Sequence, residues 1–280
     1  MKALRIALLR ELRTGPLWRL RDNNATAAGD DSVCNEAPAP DVRPESSSRQ
    51  DTAPSGSGID TRNLLPQQTE SPPQPTQSVP KQASDPARDA RIGSMDWDDL
   101  EAEIRNCRAC RLWEQRRQAV PGIGDRNASW MFVGEGPGSE EDRRGEPFVG
   151  PAGKLLDAML AALGLERGQG VYIANAVKCR PPMNRTPHPD ETDSCRPFLE
   201  RQIALVRPKV LVALGRPAAQ TLLETEVRIS TVRGKVFSHD DIPVVVTYHP
   251  AYLLRNPSDK GKAWEDLCLA RRVVGKTGQD

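Results

Sequence analysis

Four short apolar runs, each followed by a glycine-, proline- or polar-rich loop, constrain this chain most. They are residues 130–133, 171–177, 209–214 and 243–247. None shows the every-other-residue alternation of a half-solvated strand, so each reads as a strand covered on both faces. Helical patterns separate them. Ala152, Leu155, Leu156, Met159, Leu160 and Leu163 recur three and four apart and stop at Gly164. Phe198, Leu199, Ile203 and Val206 mark a helix over about 189–206, and others are expected at 97–117, through Ala218–Leu223, and over about 259–273. Strands alternating with helices imply an α/β protein with a parallel sheet, and residues 225–240 add a small hairpin. Sites in such sheets form at the carboxyl ends of strands. The loops found there are GEGPG (134–138), NAVKCRPPMNR (175–185), LGRPAA (214–219) and YHPAYLLR (248–255).

The first third of the chain cannot belong to this sheet. Residues 22–93 hold ten prolines and no aromatic residue. Too little apolar surface is available there to offset chain entropy, so residues 21–93 are expected to form a disordered linker. Residues 1–20 are basic and leucine-rich, suited to a short amphipathic helix that docks on a replication or repair protein. A secretory signal is disfavoured because Arg10, Glu11 and Arg13 interrupt any apolar core. The globular domain is expected over 94–280. It carries 27 Lys+Arg against 26 Asp+Glu, so bulk charge announces no nucleic-acid partner. No apolar run approaches the roughly twenty residues of a membrane span. A cytoplasmic monomer with no membrane contact is expected.

Four of the six cysteines are arranged for ligation: Cys107 and Cys110 in a CxxC, then Cys179 after the second strand and Cys195 in the next helix. In a reducing compartment such a quartet points to metal rather than disulfides. Tetrahedral zinc and an iron–sulfur cluster both take four thiolates, but the lack of a second CxxC favours the cluster. Cys268 falls on the buried stripe of the last helix, and Cys34 is an exposed thiol.

Gly134–Gly138 fails the dinucleotide fingerprint because Ser139 stands at the third glycine position. What remains is a loop whose backbone can approach a flat ligand closely. Phe148, in a Gly/Pro loop, suits stacking as well as core packing. Asn175 interrupts an apolar strand, so its amide must tie a loop or read a ligand edge. His249 follows the fourth strand at the sheet's functional end, whereas His188 and His239 read as surface residues.

Together, GEGPGSEEDRRGEPFVGPAGKLL (134–156), VYIANAVKCRPPMNR (171–185), YHPAYLLRNP (248–257) and the cysteine spacing resemble the type-4 uracil-DNA glycosylases, the iron–sulfur branch of that superfamily. The resemblance covers about residues 95–274. It implies a three-layer α/β/α sandwich with a four-stranded parallel sheet. It also implies a [4Fe–4S] cluster on Cys107, Cys110, Cys179 and Cys195, and hydrolysis of the uracil–deoxyribose bond in DNA. Gly134, Glu135 and Gly136 would line the uracil pocket, Phe148 would stack on the base, Asn175 would read its edge, and His249 would contact O2. Where the best-studied branch has a water-positioning Asp, this chain has Gly136; Glu135, Glu141 and Asn184 are the candidates for that task. Leu253 or Tyr252 would wedge into the duplex. Arg180, Arg185, Arg255, Lys260 and Lys262 would meet phosphates. The alternative is a catalytically silent iron–sulfur module that binds nucleic acid or accompanies a polymerase.

Overall fold

A computed structural model describes residues 85–276. The expected helix of residues 1–20, most of the linker and Cys34 lie outside them. Residues 86–93, expected as part of the linker, form a helix. Helix α1 (Pro86–Gly93) opens at Asp85, whose carboxylate accepts the Ala87 and Arg88 amides at 3.1 and 3.2 Å. Pro86 occupies the first turn, where its missing N–H costs nothing. One apolar residue suffices to dock this polar helix: Ile92 is fully buried among Leu100, Ile104 and Phe198.

Helix α2 (Trp97–Asn106) is shorter than the period predicts. Its chain turns extended at Cys107 and enters a 3₁₀ turn at Arg111–Glu114. The CxxC is therefore a loop after the helix, not its last turn. Then follow β1 (Ile123–Gly124), β2 (Trp130–Gly134), α3 (Ser139–Arg144), α4 (Pro151–Leu163), β3 (Val171–Asn175), α5 (Pro189–Val206), β4 (Val210–Leu214), α6 (Arg216–Leu223), α7 (Ile229–Val232), β5 (Val236–His239), β6 (Ile242–Thr247), α8 (Pro250–Arg255) and α9 (Lys260–Lys276).

The sheet has six strands in the order β1-β3-β2-β4-β6-β5, not four. The four expected strands form its parallel centre, with Trp130 opposite both Val171 and Val210, and Leu211 opposite Val244. The two additional strands are antiparallel edges. β1 pairs with β3, and β5 with β6. The hairpin expected within 225–240 does not form, since Ile229–Val232 is helical and β5 pairs instead with the fourth central strand. Two-residue β1 is too short to leave a periodic signal.

Alternate residues of each central strand enter opposite cores. Trp130, Phe132, Ile173, Val212 and Val245 meet Leu156, Met159 and Leu160 of α4 and Leu267 of α9. Met131, Val133, Ala174, Leu211 and Val246 meet Leu199 and Ile203 of α5 and Ala219 and Leu222 of α6. Each fully buried side chain of this size contributes about 1.5–3 kcal/mol. The result is the expected three-layer sandwich. No helix among the described residues is long and apolar enough to cross a membrane.

Candidate active site and cysteine centre

The carboxyl ends of β2, β3, β4 and β6 surround a cavity of about 710 Å³, lined among others by Glu135, Gly136, Phe148, Asn175 and His249. Gly134 is what lets its floor close. A Cβ there would press on Asn175 Oδ1 and lie 2.6 Å from Phe148 Cζ, so only glycine allows ring and amide to meet. Gly153, on α4, plays the same part beneath the Phe148 carbonyl.

Phe148 is 5% exposed and holds φ = 55°, a left-handed conformation that strains a bulky residue. Ties on both sides impose it. Arg167 donates to the Pro147 and Phe148 carbonyls at 2.9 and 2.8 Å. Glu141 Oε1 accepts the Val149 and Gly150 amides at 2.9 and 3.0 Å, while its Oε2 accepts the Gly138 amide. Glu141 is thereby committed to holding two loops together, and Asn184 Oδ1 is taken by Arg180 Nε at 2.7 Å. All three water-positioning candidates line the cavity, and Glu135 is the least committed of them, its carboxyl meeting one side-chain donor, Thr186. Burial raises its pKa, opposed by a hydrogen bond from Thr186 and by the charge of Arg216.

Asn175 is 2% exposed, and its Oδ1 is buried with no hydrogen-bond partner. An orphaned buried acceptor costs about 1–3 kcal/mol, and this one sits against the cavity floor. His249 stands across it, its ring 5.5 Å from that of Phe148. The Ala251 amide donates to His249 Nδ1 at 3.1 Å, capping α8. Burial, reinforced by the Arg255 charge, pushes the imidazole pKa down to about 4. The ring is therefore neutral, and with Nδ1 accepting, this assignment puts its proton on Nε2.

Several expected contacts fall elsewhere. Leu253 is fully buried in the core and cannot reach a duplex; its neighbour Leu254 is 44% exposed. Tyr252 lines the cavity, stacked on Tyr248 and donating to Asp259 at 2.7 Å. Both guanidinium arms of Arg185 are held by Glu191 at 2.7–2.8 Å. Lys260 is buried, and Lys262 pairs with Asp259. Arg255 is exposed at the cavity edge. His188 is exposed as expected, but His239 is buried, bonded to the Leu222 carbonyl and Glu200. Cys268 is only half-buried. Arg167 carried no motif to mark it; it acts through a fold that brings its loop against Phe148.

The four cysteines converge in the third core cluster, Cys179 and Cys195 buried, Cys107 and Cys110 half-buried, all unbridged. Donors face three of the sulfurs: the Lys178 amide on Cys195 at 3.2 Å, Arg116 on Cys179 at 2.8 Å and Arg88 on Cys107 at 3.7 Å. Burial pushes the thiol of Cys110 up to about 11 and of Cys195 up to about 12. Such thiols ionise only with a bound cation to take up the charge. No three of these sulfurs lie within 4.8 Å of one another. A tetrahedral zinc, with Zn–S of about 2.3 Å, draws its sulfurs to about 3.8 Å.

A family model of the uracil-DNA glycosylase superfamily matches residues 121–268, from the first sheet strand to the last helix. The chain belongs to the uracil-DNA glycosylase superfamily. Relatives place it beside the type-4 branch. It is 45% identical over 187 residues to the type-4 uracil-DNA glycosylase of Archaeoglobus fulgidus, covering 64% of this chain and 94% of that one. It is 47% identical over 184 residues to the enzyme of that name from Sulfurisphaera tokodaii, covering 62% and 83%. The corresponding protein of Saccharolobus solfataricus is 46% identical over 181 residues, covering 61% and 83%. The glycosylase match embraces every residue of the cavity floor and two of the four cysteines, Cys179 and Cys195.

Proposed function

We propose that this protein is a DNA-repair hydrolase that cleaves the N-glycosidic bond of uracil in DNA, releasing uracil and leaving an abasic site. The carrying observation is the orphaned Asn175 Oδ1 beside the Phe148 ring and a neutral His249. A base must leave the stack to reach such a cavity, at a cost of a few kcal/mol that stacking and hydrogen bonds partly recover. Phe148 stacks on the extruded ring. Asn175 Oδ1 accepts from uracil N3–H and its amide donates to O4. Cytosine presents an acceptor and a donor at those places, leaving the buried amide unpaired, which a site of this kind rejects by about 10⁴–10⁵.

As the C1′–N1 bond breaks, its electron pair passes to the uracil ring. His249 Nε2–H then donates to O2 and stabilises the anion, a task for which its neutral form is ready without reorganisation. Water adds its oxygen to C1′ and gives up a proton, with Glu135 positioned to orient it and accept that proton. Cys107, Cys110, Cys179 and Cys195 hold a [4Fe–4S] cluster, which joins the CxxC loop, the end of β3 and α5 into one support. The Lys178 side chain links that support to the cavity by donating to the Asn175 carbonyl at 2.7 Å.

The test is alkali cleavage of a uracil-containing oligonucleotide after incubation with purified protein. Cleavage that Asn175→Ala or His249→Ala abolishes is expected. Tight binding without uracil release by cluster-loaded protein would overturn the reading in favour of a silent scaffold. Iron analysis should return about four irons per chain; stoichiometric zinc would refute the cluster.

A further inference from the structure

A second cavity, of about 650 Å³, meets α3 at its opposite end. The cavity at the strand ends includes Gly138 and Glu141 at the start of that helix; this one includes Arg144 and Gly145 at its close. Five arginines line it: Arg105, Arg108, Arg116, Arg117 and Arg144, against one carboxylate, Glu146.

Outside the groove some described arginines pair with carboxylates and others, such as Arg201, Arg216 and Arg255, do not. What sets the groove apart is that five gather around one concavity. Arg91, Arg126, Arg143, Arg167, Arg196 and Arg233 each have a carboxylate partner. In the groove only Arg105 has one, Glu101 at 2.8 Å. Arg116 is fixed by Cys179 Sγ and the Arg105 carbonyl, at 2.8 and 2.6 Å, and has no carboxylate partner. Arg108 lies over the Trp113 ring at 4.8 Å. Among the described residues, Arg108, Arg117 and Arg144 have no carboxylate within the 4.0 Å of an ion pair. Like charges gathered around one concavity repel each other and focus the field within it, so an anion stabilises the arrangement.

The ligand chemistry follows from the donors. Planar guanidinium forks match phosphate oxygens. Arg108 occupies one face of Trp113, and five guanidinium groups outnumber this single ring, so recognition is of backbone. Helix α3 has six residues, a length of about 9 Å. That is about three nucleotide steps at 3.4 Å per step along one strand.

We propose that this arginine groove holds the phosphodiester backbone of the substrate strand about three nucleotides beyond the extruded uracil. The inference rests on the uracil-excision reading but concerns a separate surface.

The test compares wild type with Arg117→Gln/Arg144→Gln on two kinds of uracil oligonucleotide. One kind is too short to leave the active cavity; the other extends about ten nucleotides further on the 5′ or the 3′ side. The ratio of long- to short-substrate kcat/KM should fall about tenfold, for extension on one side only. The slope of log K against log salt for a long uracil-free strand should fall by about one to two. Arg143→Gln, the same type of substitution at an arginine paired with Glu140 outside the groove, should leave the ratio as it is. Equal losses on short and long substrates, or an unaltered salt slope, would overturn the proposal. So would tripolyphosphate occupying the wild-type groove without displacing long DNA, which would assign it to a free polyphosphate. Absence of cleavage by wild type would refute the excision reading alone, since the salt slope is measured without cleavage.

Discussion

The two ends of helix α3 show opposite ways of using polar groups. At its start, the cavity of Phe148, Asn175 and His249 is held rigid, and its imidazole is kept neutral by burial and the charge of Arg255. Arg167 and Glu141 clamp the strained Phe148 loop from both sides. At its close, four of five arginines keep their charge without a carboxylate partner. A group that must stabilise charge at one atom works best when fixed and desolvated. A group that meets a long, regularly charged strand works through counterion release and needs no fixed rotamer. One short helix separates a site made for chemistry from a surface made for affinity.

The contrast can be broken most decisively at the cavity. Asn175→Ala and His249→Ala should each lower the single-turnover excision rate by about 10²–10³ on short and long substrates alike. If either lost no more than the groove double variant, the division of labour would be wrong.

Next in size is Gly134→Ala. Its methyl would lie 2.6 Å from Phe148 Cζ, displacing the ring, and a shift of this order costs about 10²-fold in kcat. Gly93→Ala, with nothing within 4 Å of the new methyl, should leave kcat as it is. Steady-state kinetics on both variants separates a packing requirement at the floor from a general intolerance of alanine.

The histidines sharpen the comparison through pH. His239 is held up to about 9, chiefly by its hydrogen bond with Glu200. Its folded pKa exceeds the unfolded value of about 6.5, so its stabilisation is full below about 6.5 and lost as pH rises through about 9. His249, pushed down to about 4, does the reverse: stability falls as pH drops from about 6.5 toward 4. Thermal unfolding of His239→Gln against wild type should show a deficit that shrinks as pH rises from about 6.5 through about 9. A deficit that grows with pH would contradict the ion pair.

The smallest effect is expected on the rim. Met183 is 94% exposed at φ = 54°, where a side chain costs about 1–2 kcal/mol relative to glycine. Met183→Gly should recover up to about 1 kcal/mol in denaturant unfolding after the greater entropy of unfolded glycine is set against it.

Much of the site was legible because its signals are local. Phe148, Asn175 and His249 each stand out against a strand or loop of different composition, and the cysteine quartet shows in its spacing. Leu253 was not legible: Leu253 and Leu254 are equally apolar neighbours, and only the packing of α8 against α4 decides which is buried. Glu141 looked like a catalytic carboxylate because its three amide partners come from loops up to nine residues away. The arginine groove draws on positions 105 to 146 and resembles ordinary surface charge until folding brings them together.

By itself the sequence determined the four parallel strands, the helices between them and the end of the sheet where chemistry occurs. Periodicity and strand–loop order are properties of neighbouring residues, so they survive without a fold. Only the tertiary structure decided the two antiparallel edges, the neutral tautomer of His249, the orphaned oxygen of Asn175 and the unpaired arginines. Each of these depends on which distant groups share or deny a hydrogen bond or a counter-charge, and on how much water burial removes.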